Sequence, residues 1–336
     1  MIIVRAPLRV SFVGGGTDTS DFYTKSTGRV LSAAINKYVY VTVTATPFQQ
    51  ITARYSVGET VRNLKELKND RIREALLVNG IMSGIEISTF SDLPGQTGLG
   101  SSSSFSVALV KALSLLRGRQ LDSRMCAEEA CRLEIDLVKE PIGKQDQYAA
   151  AFGGMNVFEF QADGTVAVDP VHLDFRRQLD FEKHLLLFFT GITRKASSVL
   201  SEQKENISKD KKHIQTLIAM AESVVPFRQA LLKGDFETLG KLLHEGWARK
   251  RSLAHSVSND VLDELYETAL REGAWGGKVL GAGGGGCLLF VVHPEKREHV
   301  ARALEALAAK QALAESSLIP FSFVHSGVEV VVNTKD

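Results

Sequence analysis

Cysteine is scarce in this chain: Cys126, Cys131 and Cys287 are its full complement in 336 residues. They form no C-x-x-C pair, which leaves neither a disulfide scaffold nor a thiolate metal site, and they read as buried small side chains in a reducing compartment. None of the eight histidines stands in H-E-x-x-H or a comparable ligand spacing, so zinc chemistry has no support. Long apolar runs are missing as well. Leu185–Phe189 and Cys287–Val292 fall far short of the roughly 20 residues that cross a bilayer. Arg5 and Arg9 interrupt the apolar N-terminus where a signal peptide would be unbroken. An excess of one charge is also absent. With 40 Lys and Arg against 39 Asp and Glu, the net charge of +1 offers no general attraction to nucleic acid or to membranes. What remains is 44% apolar and 24% charged, close to globular averages and enough chain to bury a core. The expectation is a soluble, cytoplasmic protein of two domains.

The order of elements predicts an α+β fold. Residues 1–13 alternate as a strand and run into Gly14-Gly15-Gly16-Thr17-Asp18, and Val30–Thr46 reads as more strand. Helical spacing is expected over Asn63–Asn79 and Asp122–Val138, and the strand Ile85–Ser91 lies between them. Ala196–Lys233 reads as a long charged helical region bent near Pro226, with helices following over Phe236–His255, Asn259–Glu272 and Glu295–Lys310. Strands are expected at Met155–Phe160, Cys287–Val292, Phe321–His325 and Gly327–Val332. Helices and strands mix in both halves without regular βαβ alternation, which places a domain boundary near 188/189: 1–188 and 189–336.

Three glycine-rich elements stand out. Pro94-Gly95-Gln96-Thr97-Gly98-Leu99-Gly100 leads through Ser101, Ser102, Ser103 and Ser104 directly into a helix. Glycines let a backbone approach an anion, and the unpaired N–H groups at a helix start attract phosphate. The G-x-x-x-x-G-K-[ST] spacing is absent, so this is no Walker loop, and a plain linker with a helix cap would have similar composition. Lys278-Val-Leu-Gly281-Ala-Gly283-Gly284-Gly-Gly286 matches G-x-G-x-x-G by letters. A strand rather than a helix follows it, so the dinucleotide reading fails. A tight turn needs one or two glycines, and the surplus implies backbone passing close to something else. The third element, Gly14–Asp18, follows Arg9, and its Asp would also serve as a helix cap. Among the acids, Glu134 and Asp146 flank the break at Pro141-Ile142-Gly143, where they could converge on one metal ion and one hydroxyl.

Together these words resemble the GHMP small-molecule kinases, the family of galactokinase, homoserine kinase, mevalonate kinase and phosphomevalonate kinase. Ala6-Pro7-Leu8-Arg9-Val10 through Asp18 resembles the first family motif, Pro94–Ser104 the second and Lys278–Gly286 the third. Gly143-Lys144-Gln145-Asp146-Gln147 is similar to the galactokinase segment with the catalytic Asp, and Glu134 stands where the family has its Mg²⁺ ligand. The words Thr190–Arg194, Trp247-Ala-Arg-Lys250 and Gly276–Gly286 resemble the branch that phosphorylates a heptose 7-phosphate. Galactokinases place Glu-His where this chain has Gly15-Gly16, which opens space beside the sugar.

The resemblance implies a ribosomal protein S5 domain 2-like N-terminal domain, a ferredoxin-like C-terminal domain, and transfer of a phosphoryl group from MgATP to an anomeric hydroxyl. It implies that Asp146 accepts the hydroxyl's proton and that Arg9 stabilises the transferring phosphoryl. Pro94, Gly95, Gly98, Leu99, Gly100 and Ser101–Ser104 would hold ATP, with Ser102 and Glu134 on Mg²⁺. Gly15, Gly16, Thr17, Asp18, Gly283 and Gly284 would hold the sugar. Lys144, Arg194 and Lys195 are candidates for the substrate's own phosphate. A kinase for a neutral sugar such as fucose, and a non-catalytic sugar-and-ATP-binding regulator, are the alternatives. A homo-oligomer stays open.

Overall fold

The computed structural model describes residues 1–193, 199, 202 and 211–334. Two sheets form its frame. The first has eight strands, ordered β12-β1-β2-β5-β3-β4, with β6 also paired to β2 and β7 to β6. Its members are β1 (Ile2–Val13), β2 (Gly28–Ala45), β3 (Ile51–Arg54), β4 (Gly58–Val61), β5 (Ile85–Ser91), β6 (Met155–Phe160), β7 (Val166–Pro170) and β12 (Glu329–Asn333). The second sheet is ordered β11-β8-β10-β9, built from β8 (Leu185–Phe189), β9 (Ala274–Val279), β10 (Cys287–Val292) and β11 (Ser317–Leu318).

Alternation along β1 explains where the cores lie. Ile2, Val4 and Ala6 enter one core with the helices Asp70–Val78, Ser101–Leu116, Ser123–Cys131 and Gln145–Phe152. Leu8, Val10 and Phe12 enter a second core with Phe181, Phe227 and Leu239. The change of core coincides with a register shift against β2 between Pro7 and Leu8. Odd positions face away, and that places Arg9 and Ser11 on the surface of a cleft.

The short apolar runs have a simple cause. In β8 and β10 the residues Leu187, Phe189, Leu289 and Val291 face the second core, while Leu186, Phe188, Leu288 and Phe290 face a third. A sheet covered on both sides needs no polar face. The expected boundary at 188/189 therefore cuts through β8, whose five residues pair with β10 as one strand. The C-terminal β12 returns to β1 in the first sheet.

Several expected elements differ in detail. The helix expected over Asn63–Asn79 is a 3₁₀ turn at Leu64–Glu66 followed by a helix from Asp70, whose start is capped by the Asn69 side chain. Asp122–Val138 divides into an α-helix, Ser123–Cys131, and a π-helical turn, Arg132–Leu137. Of Phe321–His325 only Phe323 makes a bridge, to Ile35. Helices Lys211–Glu222 and Val224–Lys233 meet at Ser223, and Pro226 lies in the first turn of the second, where its missing N–H costs nothing. Among the described residues no helix is long and apolar enough to cross a membrane. All three cysteines are buried and free.

Candidate active site

A cleft of about 470 Å³ is lined by β1, the start of the helix Ser101–Leu116, the Glu140–Asp146 segment, the end of the helix Phe236–Arg251, and the loop after β9. Its centre is an ion pair. Arg9 donates from Nε to Asp146 Oδ1 and from Nη2 to Oδ2, both at 2.8 Å, and from Nη1 to the Gly98 carbonyl at 2.6 Å. The guanidinium is almost fully buried, while the Asp146 side chain keeps 24% of its exposure, facing the cleft. A bidentate fork fixes a carboxylate in angle as well as position. Asp146 also lies in the first turn of the helix Gln145–Phe152, whose dipole favours a negative group there.

The serine helix starts beside this pair. Its N-cap, Gly100, is left-handed, and no side chain caps the first turn, so the leading N–H groups are left for a ligand. Ser101, Ser102, Ser103, Gln96, Gly98 and Gly100 line the cleft. The rest of that segment does not. Pro94 and Gly95 are exposed outside it, Leu99 packs in the second core, and the Ser104 hydroxyl is spent on the Pro7 carbonyl at 2.7 Å.

Asp18 faces the cleft with Gly15 and Gly16. Its carboxylate accepts from the Gly16 and Gln145 backbone N–H groups and from Gln145 Nε2. Gly143 has to be glycine, because a Cβ there would lie 2.0 Å from Asp18 Oδ2. Burial raises the Asp18 carboxyl above its ordinary value; the Gln145 N–H opposes that rise and the charge of Asp146 adds to it. Thr17 does not reach the cleft. It is buried, with its hydroxyl bonded to the carbonyls of Gly14 and Arg29. Gly283 lines the cleft, whereas Gly284 is tied to Val257 and Asn259 and does not.

Glu134 is fully buried in the π-helical turn, a distortion that often marks a functional site. Its Oε1 accepts from Arg71 Nε at 2.9 Å and its Oε2 from Gln147 Nε2 at 2.6 Å. Arg71 reaches the cleft wall and also bonds Glu140. Arg71 carried no motif, and nothing in its local sequence separates it from a surface arginine.

Of the three cations expected at the substrate phosphate, Lys144 points elsewhere. Its amine donates to the Gly164 carbonyl at 2.6 Å and lies 5.2 Å from the Tyr23 ring centre, held by a neighbouring turn rather than the cleft. Arg194 and Lys195 lie outside the described residues. Two other lysines do line the cleft, Lys250 and Lys278. Lys278 donates to the carbonyls of Ser11 and Phe12, each at 2.9 Å, and Lys250 donates to the Gly281 carbonyl. Burial, with Arg9 nearby, brings Lys250 down to about 8, and burial with Lys250 and Arg9 holds Lys278 well below its ordinary value. Both stand inside quoted motifs, and the available signal was a lysine in an otherwise buried stretch.

Comparison with known proteins identifies the family. The family model for the GHMP kinases N terminal domain matches residues 59–154, and that for the GHMP kinases C terminal matches 227–310. The D-glycero-alpha-D-manno-heptose 7-phosphate kinase of Campylobacter jejuni is 31% identical, over 98% of both chains. A crystal structure from Bacteriodes thetaiotaomicron, described as a D-glycero-D-manno-heptose 1-phosphate kinase, superposes with a TM-score of 0.81 at 27% identity over 100% of both chains. The Lactococcus lactis galactokinase complexed with galactose shares the fold, with a TM-score of 0.77 at 18% identity over 98% of this chain and 94% of its own. With the Arg9–Asp146 pair, the uncapped serine helix and both family halves in one chain, the protein belongs to the GHMP kinases.

Proposed function

We propose that this chain is an ATP-dependent sugar kinase acting on the anomeric hydroxyl of a heptose 7-phosphate. The observation that carries the reading is the bidentate Arg9–Asp146 pair, set between the open helix start and the Asp18 pocket. Asp146 accepts the proton of the anomeric hydroxyl as that oxygen forms its bond to the γ-phosphorus. The bond from the γ-phosphorus to the β–γ bridging oxygen breaks, and ADP leaves with its electron pair. Arg9 is first of all the group that aligns Asp146, and Asp18 holds sugar hydroxyls. The N–H groups of Ser101–Ser103 cradle the triphosphate, the kind of positioning on which phosphoryl transfer depends.

The donors assigned to Mg²⁺ differ in setting: Ser102 lines the cleft, whereas Glu134 is fully buried behind its wall with its oxygens bonded to Arg71 and Gln147. Ser102 and Glu134 supply only oxygen, which suits this ion, and the Ser102 hydroxyl faces the cleft with no partner among the described residues. No group of three or more acidic, His or Cys side chains among those residues could hold a metal alone, so water and the nucleotide would complete the shell. Once bound, the ion would neutralise triphosphate charge. Arg71 would release Glu134 Oε1 to make room.

The phosphorylated substrate rests on the relatives' names, both of which carry a heptose and a phosphate. We retain Arg194 and Lys195 as partners of that phosphate. They follow Thr190–Ile192, which is bonded to Gly286 of the third motif. A coupled ADP-release assay over heptose, heptose 7-phosphate, heptose 1-phosphate, fucose and galactose tests the reading. The expected result is a kcat/KM for heptose 7-phosphate about tenfold to a hundredfold above that for unphosphorylated heptose, the discrimination of one charge-assisted hydrogen bond. Equal values would make it a neutral-sugar kinase, and turnover of none would support the regulator.

A further inference from the structure

The charges in the cleft do not balance. Arg9, Lys250 and Lys278 lie within electrostatic reach of one another, and the carboxylates facing them are Asp18 and Asp146. Arg9 is committed to Asp146, and Lys278 is bonded to two carbonyls of β1. Among the described residues Lys250 has one bond, to Gly281, which leaves two of the three donors of its ammonium group without a partner among them. A buried cation held beside other cations is unfavourable until an anion joins it, which is how a preorganised electrostatic site is built.

The position says which anion. Lys250 is bonded to the Gly281 carbonyl, and Gly281 abuts the nucleotide loop so closely that a Cβ would lie 2.7 Å from the Gly98 Cα. Lys250 also feels the charges of Asp146 and Asp18. It therefore stands between the nucleotide loop and the base that receives the anomeric proton. The phosphate of a heptose 7-phosphate hangs from the opposite end of the sugar, away from this point.

We infer that Lys250 is a catalytic residue that donates hydrogen bonds to the transferring γ-phosphoryl group, taking the electrostatic part that Arg9 cannot fill while it holds Asp146. The inference rests on the kinase reading above. Lys250 keeps its proton throughout; the proton of the hydroxyl goes to Asp146, and the electron pair of the broken P–O bond leaves with ADP. The groups facing Lys250 are Arg9 from β1, Lys278 from β9, Asp18 from the glycine turn and Asp146 from its helix. With its ordinary acidity shifted to about 8, the free enzyme loses this charge as the pH rises through that value.

The test uses Lys250→Met and Lys250→Arg on the full chain, with the best sugar of the wild type. Lys250→Met should lower kcat about 10²–10³-fold, as loss of one preorganised donor does, while KM for sugar and ATP moves less than threefold. Wild-type kcat/KM should fall above pH 8, and Lys250→Arg should recover part of the rate and remove that alkaline limb. A kcat for Lys250→Met within fivefold of wild type overturns the inference, as does a rise in sugar-phosphate KM at constant kcat, which would make Lys250 a substrate-phosphate partner. A second arm needs no sugar turnover, so failure of the kinase reading is distinguishable. Calorimetry with ADP alone and with ADP plus fluoroaluminate, a phosphoryl mimic, should show the gain from fluoroaluminate in the wild type and its loss in Lys250→Met at unchanged ADP affinity. An equal gain in both proteins overturns the inference, and unchanged ADP affinity excludes misfolding as the cause.

Discussion

The two glycine loops that meet at the cleft use their backbones in opposite ways. The loop before Ser101 ends in a helix whose first N–H groups have no side-chain cap and face the cleft. The loop at Gly281–Gly286 also lines the cleft, but two of its amides are spent on the protein, Gly284 N on Val257 and Gly286 N on Ile192, as is the following Cys287 N on Thr97. Its glycines are spent likewise. A Cβ at Gly283, Gly285 or Gly286 would lie 2.6–2.7 Å from the carbonyl oxygens of Val257, Ile192 and Thr97 respectively. Glycine richness reports close approach in both loops: the first presses Gly98 on the Leu280 carbonyl and opens a helix start onto the cleft, and the second, besides lining the cleft, clamps the second sheet onto the first loop.

The largest effect expected from separating binding from chemistry is at Asp146, which lies against the first loop: a Cβ on Gly100 would be 3.4 Å from its Oδ2. Asp146→Asn removes the proton acceptor but none of the helix N–H groups. Removing a general base costs about 10²–10⁴ in rate, so kcat should fall by at least the smaller factor while ATP affinity, read by calorimetry, stays near wild type. Weakened ATP binding in this variant would mean that the first loop is not an independent nucleotide site.

The clamp is broken most directly at Gly286, which is left-handed at φ +89°. Gly286→Ala adds both left-handed strain and a contact with the Thr97 carbonyl, a destabilisation of about 2–5 kcal/mol. Gly95→Ala in the first loop meets nothing within 4 Å and should leave stability within about 0.5 kcal/mol. Denaturant midpoints at constant m-value measure both. Equal losses would erase the distinction between the loops.

Which loop did which was only half legible in the sequence. A glycine-serine run entering a periodic apolar helix identifies an open helix start, and the match of order and spacing identified the family. The partners of Gly281–Gly286 are distant in sequence, and no local pattern names Thr97, Ile192 or Val257. For the same reason Lys144 was expected at the cleft from its place beside Asp146. Successive side chains at a helix start point in different directions: Gln145 and Asp146 line the cleft, while Lys144 turns away to the Gly164 carbonyl. Lys250 and Lys278 were present in the quoted words, but their burial follows from packing between elements far apart in the chain. β8 was assigned across a boundary because an apolar run does not say which sheet covers it.

The second loop also fixes a charge, since Lys250 is held by the Gly281 carbonyl. Lowering its proton affinity from an ordinary 10.5 to about 8 makes the unfolded chain bind more protons between those values. Ligand-free stability should therefore rise with pH from about 8 to 10.5, by at most about 3 kcal/mol. Lys278, shifted in the same direction, adds to the trend. Lys250→Met should be more stable than wild type at pH 7 and show a shallower rise. A variant less stable at pH 7 would mean that the bond to Gly281 outweighs the cost of the buried charge.

The smallest expected difference lies inside the first loop and sharpens the comparison most finely. Ser102 and Ser104 are two residues apart on one helix, yet Ser102 is exposed on the cleft and Ser104 is buried with its hydroxyl on the Pro7 carbonyl of β1. Ser104→Ala removes a buried hydrogen bond and should cost about 1 kcal/mol of stability. Its KM for ATP should move little, because its hydroxyl never reached the cleft. Ser102→Ala should leave stability unchanged and weaken the response to Mg²⁺ and ATP. Crossing each variant with Glu134→Gln adds a check: Ser102 and Glu134 should be less than additive across a Mg²⁺ titration if one ion joins them, while Ser104 and Glu134 should add. Additivity in both pairs would take Ser102 off the metal and leave the helix N–H groups as the loop's contribution to nucleotide binding.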